Sequence, residues 1–267
     1  MVVSDMPQTA VTVTVDDCIA VVTLDRPPVN AVDRAALVSI REAFGSLNDR
    51  RDVRAAIFTG VGSRAFMGGA DLGSVGGRDD LDDRPATDVT DAGRLAREAM
   101  WAITDCAVPV VGAINGPAVG AGLAFAACCD ILVAAEHAWF ATLEINVGLL
   151  GASAHLMQLV GRHKAREMFL LGDKVTAGEL HRLGVIRSVT SSDDLMPTAL
   201  EIARALATKS PIAMRLAKES INRIEGMTLK DGYRTEQDYT SRLLSYEDSA
   251  EARAASVEKR DPVWRWR

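Results

Sequence analysis

Two short runs of β-type residues open the pattern, Ala10–Val15 and Ile19–Leu24, with Asp16–Asp17 as the turn between them. The segment Arg-Pro-Pro-Val-Asn (residues 26–30) breaks that rhythm, and Asp33 can cap a helix that puts Leu37, Ile40, Phe44 and Leu47 on one face. Ala55–Thr59 reads as a buried strand leading into a glycine-rich turn. Residues 73–91 are polar and acidic and predict a loop, followed by a helix around Ala92–Cys106. Pro109–Ile114 is the next strand. A turn of small residues, a helix at Leu123–Cys129 and a strand at Ile131–Ala134 come after it.

This alternation of strand, turn and helix predicts an α/β protein. From Ser153 the pattern turns mostly helical and stays so to about Lys259. Thr176 with Glu179 fits a capping box, and Ser210 before Pro211 gives an N-cap with proline at the first helical position. No repeat of 20 to 50 residues and no low-complexity linker interrupts the chain. The expected organisation is a core over residues 1–200 and a helical region over 201–267.

Composition narrows the class. With 267 residues, nearly half of them apolar, the chain is long enough for one large core. No apolar run approaches the length of a membrane span, and the opening MVVSDMPQTA has neither a basic nor an apolar signal region. Cytoplasm is the expected compartment. A formal charge of −6 argues against nucleic acid as a partner. Cys18, Cys106, Cys128 and Cys129 lack CxxC spacing, and His137, His155, His163 and His181 lack HExxH spacing. Reduced thiols and no metal site are expected.

Candidate chemistry lies in the glycine turns. Gly60–Ala65 matches G-x-G-x-x-A after a strand, with Asp79 and Asp80 about twenty residues on. A dinucleotide site also needs a helix to open inside the motif. Phe-Met-Gly-Gly-Ala-Asp is poor helix sequence, so a chance match is the better reading. Two other turns are more telling: Ala65–Leu72 and Asn115–Gly122. Each sets small residues where a backbone N–H can approach a ligand, and the second opens a helix whose amides favour negative charge. On physics alone, two tight packing turns explain them as well.

Several ordered segments resemble the enoyl-CoA hydratase/isomerase (crotonase) superfamily. These are IAVVTLDRPPVNAV, AFMGGADL, the long run from VPVVGAINGPAVGAG to LEINVGL, MFLLGDKVTAGELHRLGVI, SPIAMRLAKESIN and SVEKRDPVW. The resemblance implies a spiral of ββα units with a C-terminal helical region that packs trimers or hexamers. It implies an acyl-CoA thioester as substrate, with CoA part of the substrate and no separate cofactor. The amides of Ala70 and Ala121 would be the two donors to the thioester oxygen, flanked by Asp71 and Gly120. Arg26, Asn30, Ala31, Met67 and Gly68 would contact CoA, and Lys259 its phosphate across a subunit interface. As a residue, Lys259 reads equally well as a solvated helix-end cation.

The resemblance fails at one acidic position. Family hydratases carry two glutamates; here Glu144 stands at one and Ala124 at the other. Hydration divides acid and base work between two carboxyl groups, whereas one can lift a proton and return it elsewhere. The sequence therefore leans to double-bond isomerisation by Glu144 over hydration, with a non-catalytic acyl-CoA-binding homologue as the alternative. The run Val147–His155 also departs from the family and is expected to reshape the wall beside Glu144. His155 is a candidate replacement acid or base there. The acidic stretch Arg78–Asp83 is expected to border the acyl end.

Overall fold

The computed structural model describes residues 10–71 and 85–267. The chain runs through β1 (Val11–Asp16), β2 (Ile19–Leu24), α1 (Arg34–Gly45), β3 (Ala55–Gly60), α2 (Ala86–Thr90), α3 (Arg94–Thr104), β4 (Val110–Ile114), β5 (Ala118–Val119), α4 (Ala121–Ala127), β6 (Ile131–Ala135) and β7 (Trp139–Ala141). A single 3₁₀ turn (Glu144–Val147) leads to α5 (Ser153–Val160), α6 (Arg162–Leu171), β8 (Val175–Thr176), α7 (Ala177–Arg182) and β9 (Ser188–Thr190). Then come α8 (Ser192–Ala207), α9 (Pro211–Ile224), α10 (Leu229–Leu244) and α11 (Glu247–Glu258).

The larger sheet has the order β1-β2-β3-β4-β6-β9, parallel except for the β1–β2 hairpin. Its turn is Asp17–Cys18, one residue later than the sequence suggested. Asp16 still pairs with Ile19, and both turn residues are left-handed, which suits strand twist. Successive residues of the strands feed two cores. Val22, Ala56, Phe58, Val110 and Ile114 pack on one face; Ile57, Val111, Ala113 and Val133 meet Leu195, Ala199 and Ala203 of α8 on the other. Both faces are covered, which is why these strands read as continuous apolar runs.

A second sheet, β5-β7-β8, sits beside the first. β4 enters the large sheet, β5 the small one, and α4 follows; β6 and β7 repeat the step before α5. After β3 the chain makes the same move in reduced form, because Met67 bridges to Ala118. This is the ββα spiral expected from the resemblance.

The caps fall where the sequence placed them: Asp33 accepts from Ala36 N–H, and Ser210 from Ala213 N–H. Thr176 accepts from Glu179 N–H, but the Glu179 carboxylate pairs with Lys164 across to α6, a tertiary contact instead of the local return bond. The division at residue 200 falls inside α8, whose apolar face lies on the sheet. Lys218 of α9 reaches inward with a side chain only 5 % exposed, and donates to Ile103 O, Val108 O and Asp130 Oδ2.

Candidate active site

The two glycine turns occupy equivalent places in successive spiral units, and one aromatic cluster backs both. Phe58 of β3 meets Phe66, at the head of the first turn, edge-on at 5.2 Å, and meets Phe125 of α4 at 6.5 Å. Asn115 ties the turns together: its Oδ1 accepts from Gly60 N–H at 3.1 Å and its amide donates to Gly62 O. Asn30, only 3 % exposed and left-handed at φ 54°, does the same from the other side, donating to Val61 O and Ala65 O. No helix opens after Gly60, so the dinucleotide geometry is not formed; Asp79 and Asp80 lie outside the described residues.

The backbone pairing decides which way the amides face. Val32 forms a parallel bridge with Ala70, bonding to Gly69 O and accepting from Asp71 N–H. In such a bridge the central residue's own N–H points to the opposite side. Ala121 is the first residue of α4, and its N–H is one of the donors a helix leaves over. Among the described residues, neither amide has an acceptor in the chain. Both residues line one cavity of about 600 Å³, together with Gly68, Gly69, Gly120, Ala124 and Glu144.

Glu144 enters from the 3₁₀ turn and lies against Gly120. Gly120 has φ 54° and ψ −111°, a backbone that favours glycine, and a Cβ there would overlap Glu144 Oε1. Gly69 is equally constrained, at φ 106° with Val119 O 3.2 Å from where a Cβ would stand. Glu144 Oε2 is buried without a hydrogen-bond partner, and burial pushes the carboxyl above its ordinary range. Burial thus disfavours the charged carboxylate, so this group holds a proton more readily than a solvated glutamate does. Ala124, 1 % exposed, presents a methyl on the same cavity.

The remaining walls are Val119 and Leu143 beside the two turns, Val147, Leu149, Leu150, Gly151, Ala152 and His155 from the run after Glu144, and Ala96, Arg97 and Met100 from α3. His155 is half-buried, and desolvation lowers its pKa, which favours the neutral ring. It also lines a second cavity of about 280 Å³ behind the first, with Gln158, Asp130 and Glu225.

Other proposed positions are placed differently. Arg26 lies 29 % exposed, bonded to Ala31 O, Asp33 and Asp71, and so clamps its own segment to the end of the first turn. Met67 is buried, its carbonyl accepting from Val119 N–H. Lys259 is exposed at the end of α11 and does not line the cavity within this chain. Arg78–Asp83 lie outside the described residues. Sequence reasoning missed Arg97 and Met100. Their signal was the spacing of Ala96, Arg97 and Met100 along one flank of a helix whose buried face is Leu95, Ala99 and Ile103.

The cysteines need no chemistry: burial pushes the Cys128 thiol up to about 11 and the Cys106 and Cys129 thiols up as well. Among the described residues no cluster of metal-ligating side chains is present, and no helix is long and apolar enough to cross a membrane.

Residues 14–267 match the family described as enoyl-CoA hydratase/isomerase. The chain is 36% identical to a (7aS)-7a-methyl-1,5-dioxo-2,3,5,6,7,7a-hexahydro-1H-indene-carboxyl-CoA hydrolase of Mycobacterium tuberculosis, over 90% of this chain and 95% of the relative. It is 35% identical to a carnitinyl-CoA dehydratase of Salmonella enteritidis, over 92% and 94%. Among solved structures it superposes on Pseudomonas aeruginosa DspI with a TM-score of 0.88 at 32% identity, covering 99% of this chain and 100% of that one. An enoyl-CoA hydratase from Bacillus anthracis gives 0.86 at 28% identity, covering 96% and 98%.

Proposed function

Because the chain belongs to the enoyl-CoA hydratase/isomerase family, we propose that this acyl-CoA-processing enzyme moves a proton with Glu144 and thereby shifts a double bond along the acyl chain. The observation that carries the reading is one carboxylate, its pKa raised by burial, which among the described residues is the single one lining a cavity with two uncommitted backbone amides.

The chemistry follows from charge placement. The N–H groups of Ala70 and Ala121 meet the thioester oxygen and stabilise the negative charge that develops as the α-carbon loses a proton. Ionised Glu144 takes that proton from a 3-enoyl thioester, and the C–H electrons pass into the enolate. The same carboxyl, now neutral, returns the proton to the γ-carbon, leaving a 2-enoyl thioester conjugated with its carbonyl. No second carboxylate is needed, which fits the methyl of Ala124. Arg26–Ala31, Met67 and Gly68 are proposed to border the CoA moiety. Lys259 is proposed to reach the CoA phosphate of a neighbouring subunit in a homotrimer or hexamer.

A second reading is addition of water, in line with relatives named as a CoA hydrolase and a carnitinyl-CoA dehydratase. It is favoured by His155, which lines both the acyl cavity and the smaller cavity that holds Gln158, Asp130 and Glu225. Incubation with 3-enoyl-CoA and, separately, with 2-enoyl-CoA decides. Isomerisation raises the absorbance of the conjugated thioester, and Glu144→Gln lowers the rate by roughly 10²–10⁴-fold while saturated esters still bind. A wild-type rate in Glu144→Gln defeats the proposal. A product of the 2-enoyl ester heavier by one water, lost in His155→Gln, establishes the second reading instead. Tight binding of both esters with no turnover makes the protein a carrier.

A further inference from the structure

The cavity walls are almost wholly apolar or glycine. Away from the two turns they present Met100, Leu143, Val147, Leu149 and Leu150. Among the described lining residues Arg97 is the single Lys or Arg. It comes from α3, a different wall from the amides and Glu144, and lies beside Met100, which shares the cavity. Its position is prepared. The guanidinium lies over the Trp101 ring at 5.9 Å and donates from Nη2 to Asp91. Gly93 leaves it room, since a Cβ there would come within 2.8 Å of Nη1.

This ion pair adds little to the fold. The two side chains are 44% and 46% exposed, so water and salt screen their attraction. A guanidinium carries five N–H donors in one plane, and the Asp91 bond uses one. The rest can serve a ligand oxygen in a cavity whose other described lining side chains, Glu144 and His155 apart, are hydrocarbon. A charge-assisted bond at such a rim gives more discrimination than any methylene contact around it.

Resting on the acyl-CoA reading above, we propose that Arg97 selects acyl groups that carry an oxygen acceptor, a carboxylate or a ketone, at the end remote from the thioester. Asp91 holds the guanidinium in place in the free enzyme and competes with an incoming carboxylate.

Binding of saturated esters tests this apart from turnover. Three six-carbon acyl-CoA esters serve as probes: one plain, one ending in a carboxylate, one with a ketone beside its last carbon. Wild type should bind the two oxygenated esters more tightly. Arg97→Met should weaken the carboxylate ester roughly 10- to 100-fold, the ketone ester less, and leave the plain ester within about twofold. Asp91→Asn should tighten the carboxylate ester several-fold and leave the ketone ester unchanged. Equal weakening of all three esters by Arg97→Met marks a structural role and overturns the proposal, as does no change in any. Because no probe has a double bond, loss of isomerase activity elsewhere does not touch the result. If none of the esters binds wild type, the acyl-CoA reading itself falls.

Discussion

The cavity has two kinds of wall. One is main chain: the turns at Gly68–Ala70 and Gly120–Ala121, fixed by the Val32 and Met67 bridges and backed by Phe58, Phe66 and Phe125. The other is side chain: Leu149, Leu150, Val147, Met100 and Arg97, of which Leu150 is 78% and Val147 62% exposed. The first wall gains its geometry from bonds that no single side chain controls. The second is set by residue choice and can change without disturbing the sheets. The proposed roles put chemistry on the stiff wall and selection on the variable one, in keeping with the rule that misplacing a donor by an ångström costs far more than trimming a methylene.

Substitutions can break that contrast. The largest effect after removal of Glu144 itself is expected for Gly120→Ala. The added methyl meets Glu144 Oε1 at a left-handed position, so the carboxyl or the amide beside it must move. We expect kcat/KM to fall by roughly 10²-fold or more, with circular dichroism unchanged. An unaltered rate would show that the main-chain wall is not rigid.

A pH profile sharpens the contrast next. The isomerisation proposed above needs ionised Glu144, and burial raises its pKa. Activity is therefore expected to be full above that raised pKa and to fall as pH drops through it, with the acid limb displaced upward from an ordinary glutamate. A limb at the ordinary value would mean that the carboxyl is solvated in the working enzyme. The smallest effect belongs to Leu150→Ala on the variable wall, where we expect less than about a tenfold change in kcat/KM for short acyl groups, because the leucine is already mostly exposed. A larger loss would assign that wall a part in the chemistry.

Legibility in the sequence followed the range of the forces. Asp33, Ser210 and the strand Ala55–Gly60 act through neighbours in sequence or through an unbroken apolar run, and they were readable. The small sheet was not, because Ala118–Val119 and Val175–Thr176 are too short to show a period. The hairpin turn was misplaced by a residue because Cys18 gives no hint of a left-handed backbone. At the site, the roles proposed for Glu144 and the two amides came from family resemblance and not from spacing. Asn30 was read as a ligand contact, while the fold uses its amide to close two loops. Arg97 escaped because its meaning depends on which flank of α3 meets the cavity, a tertiary fact.

Lys218 carries a wider consequence. Its ammonium is tied at once to the end of α3, the approach to β4 and the carboxylate of Asp130, which also accepts from Val110 N–H. The late helices are thus riveted to the middle of the sheet by one buried charge, while α8 covers the sheet face beside it. Pulling them away would cost the ammonium all three of its bonds and leave the carbonyls of Ile103 and Val108 without that donor. The late helices and the sheet are therefore expected to come apart together on heating, and a truncation upstream of α9 leaves α8 on the sheet but removes the cation that Asp130, Ile103 and Val108 share.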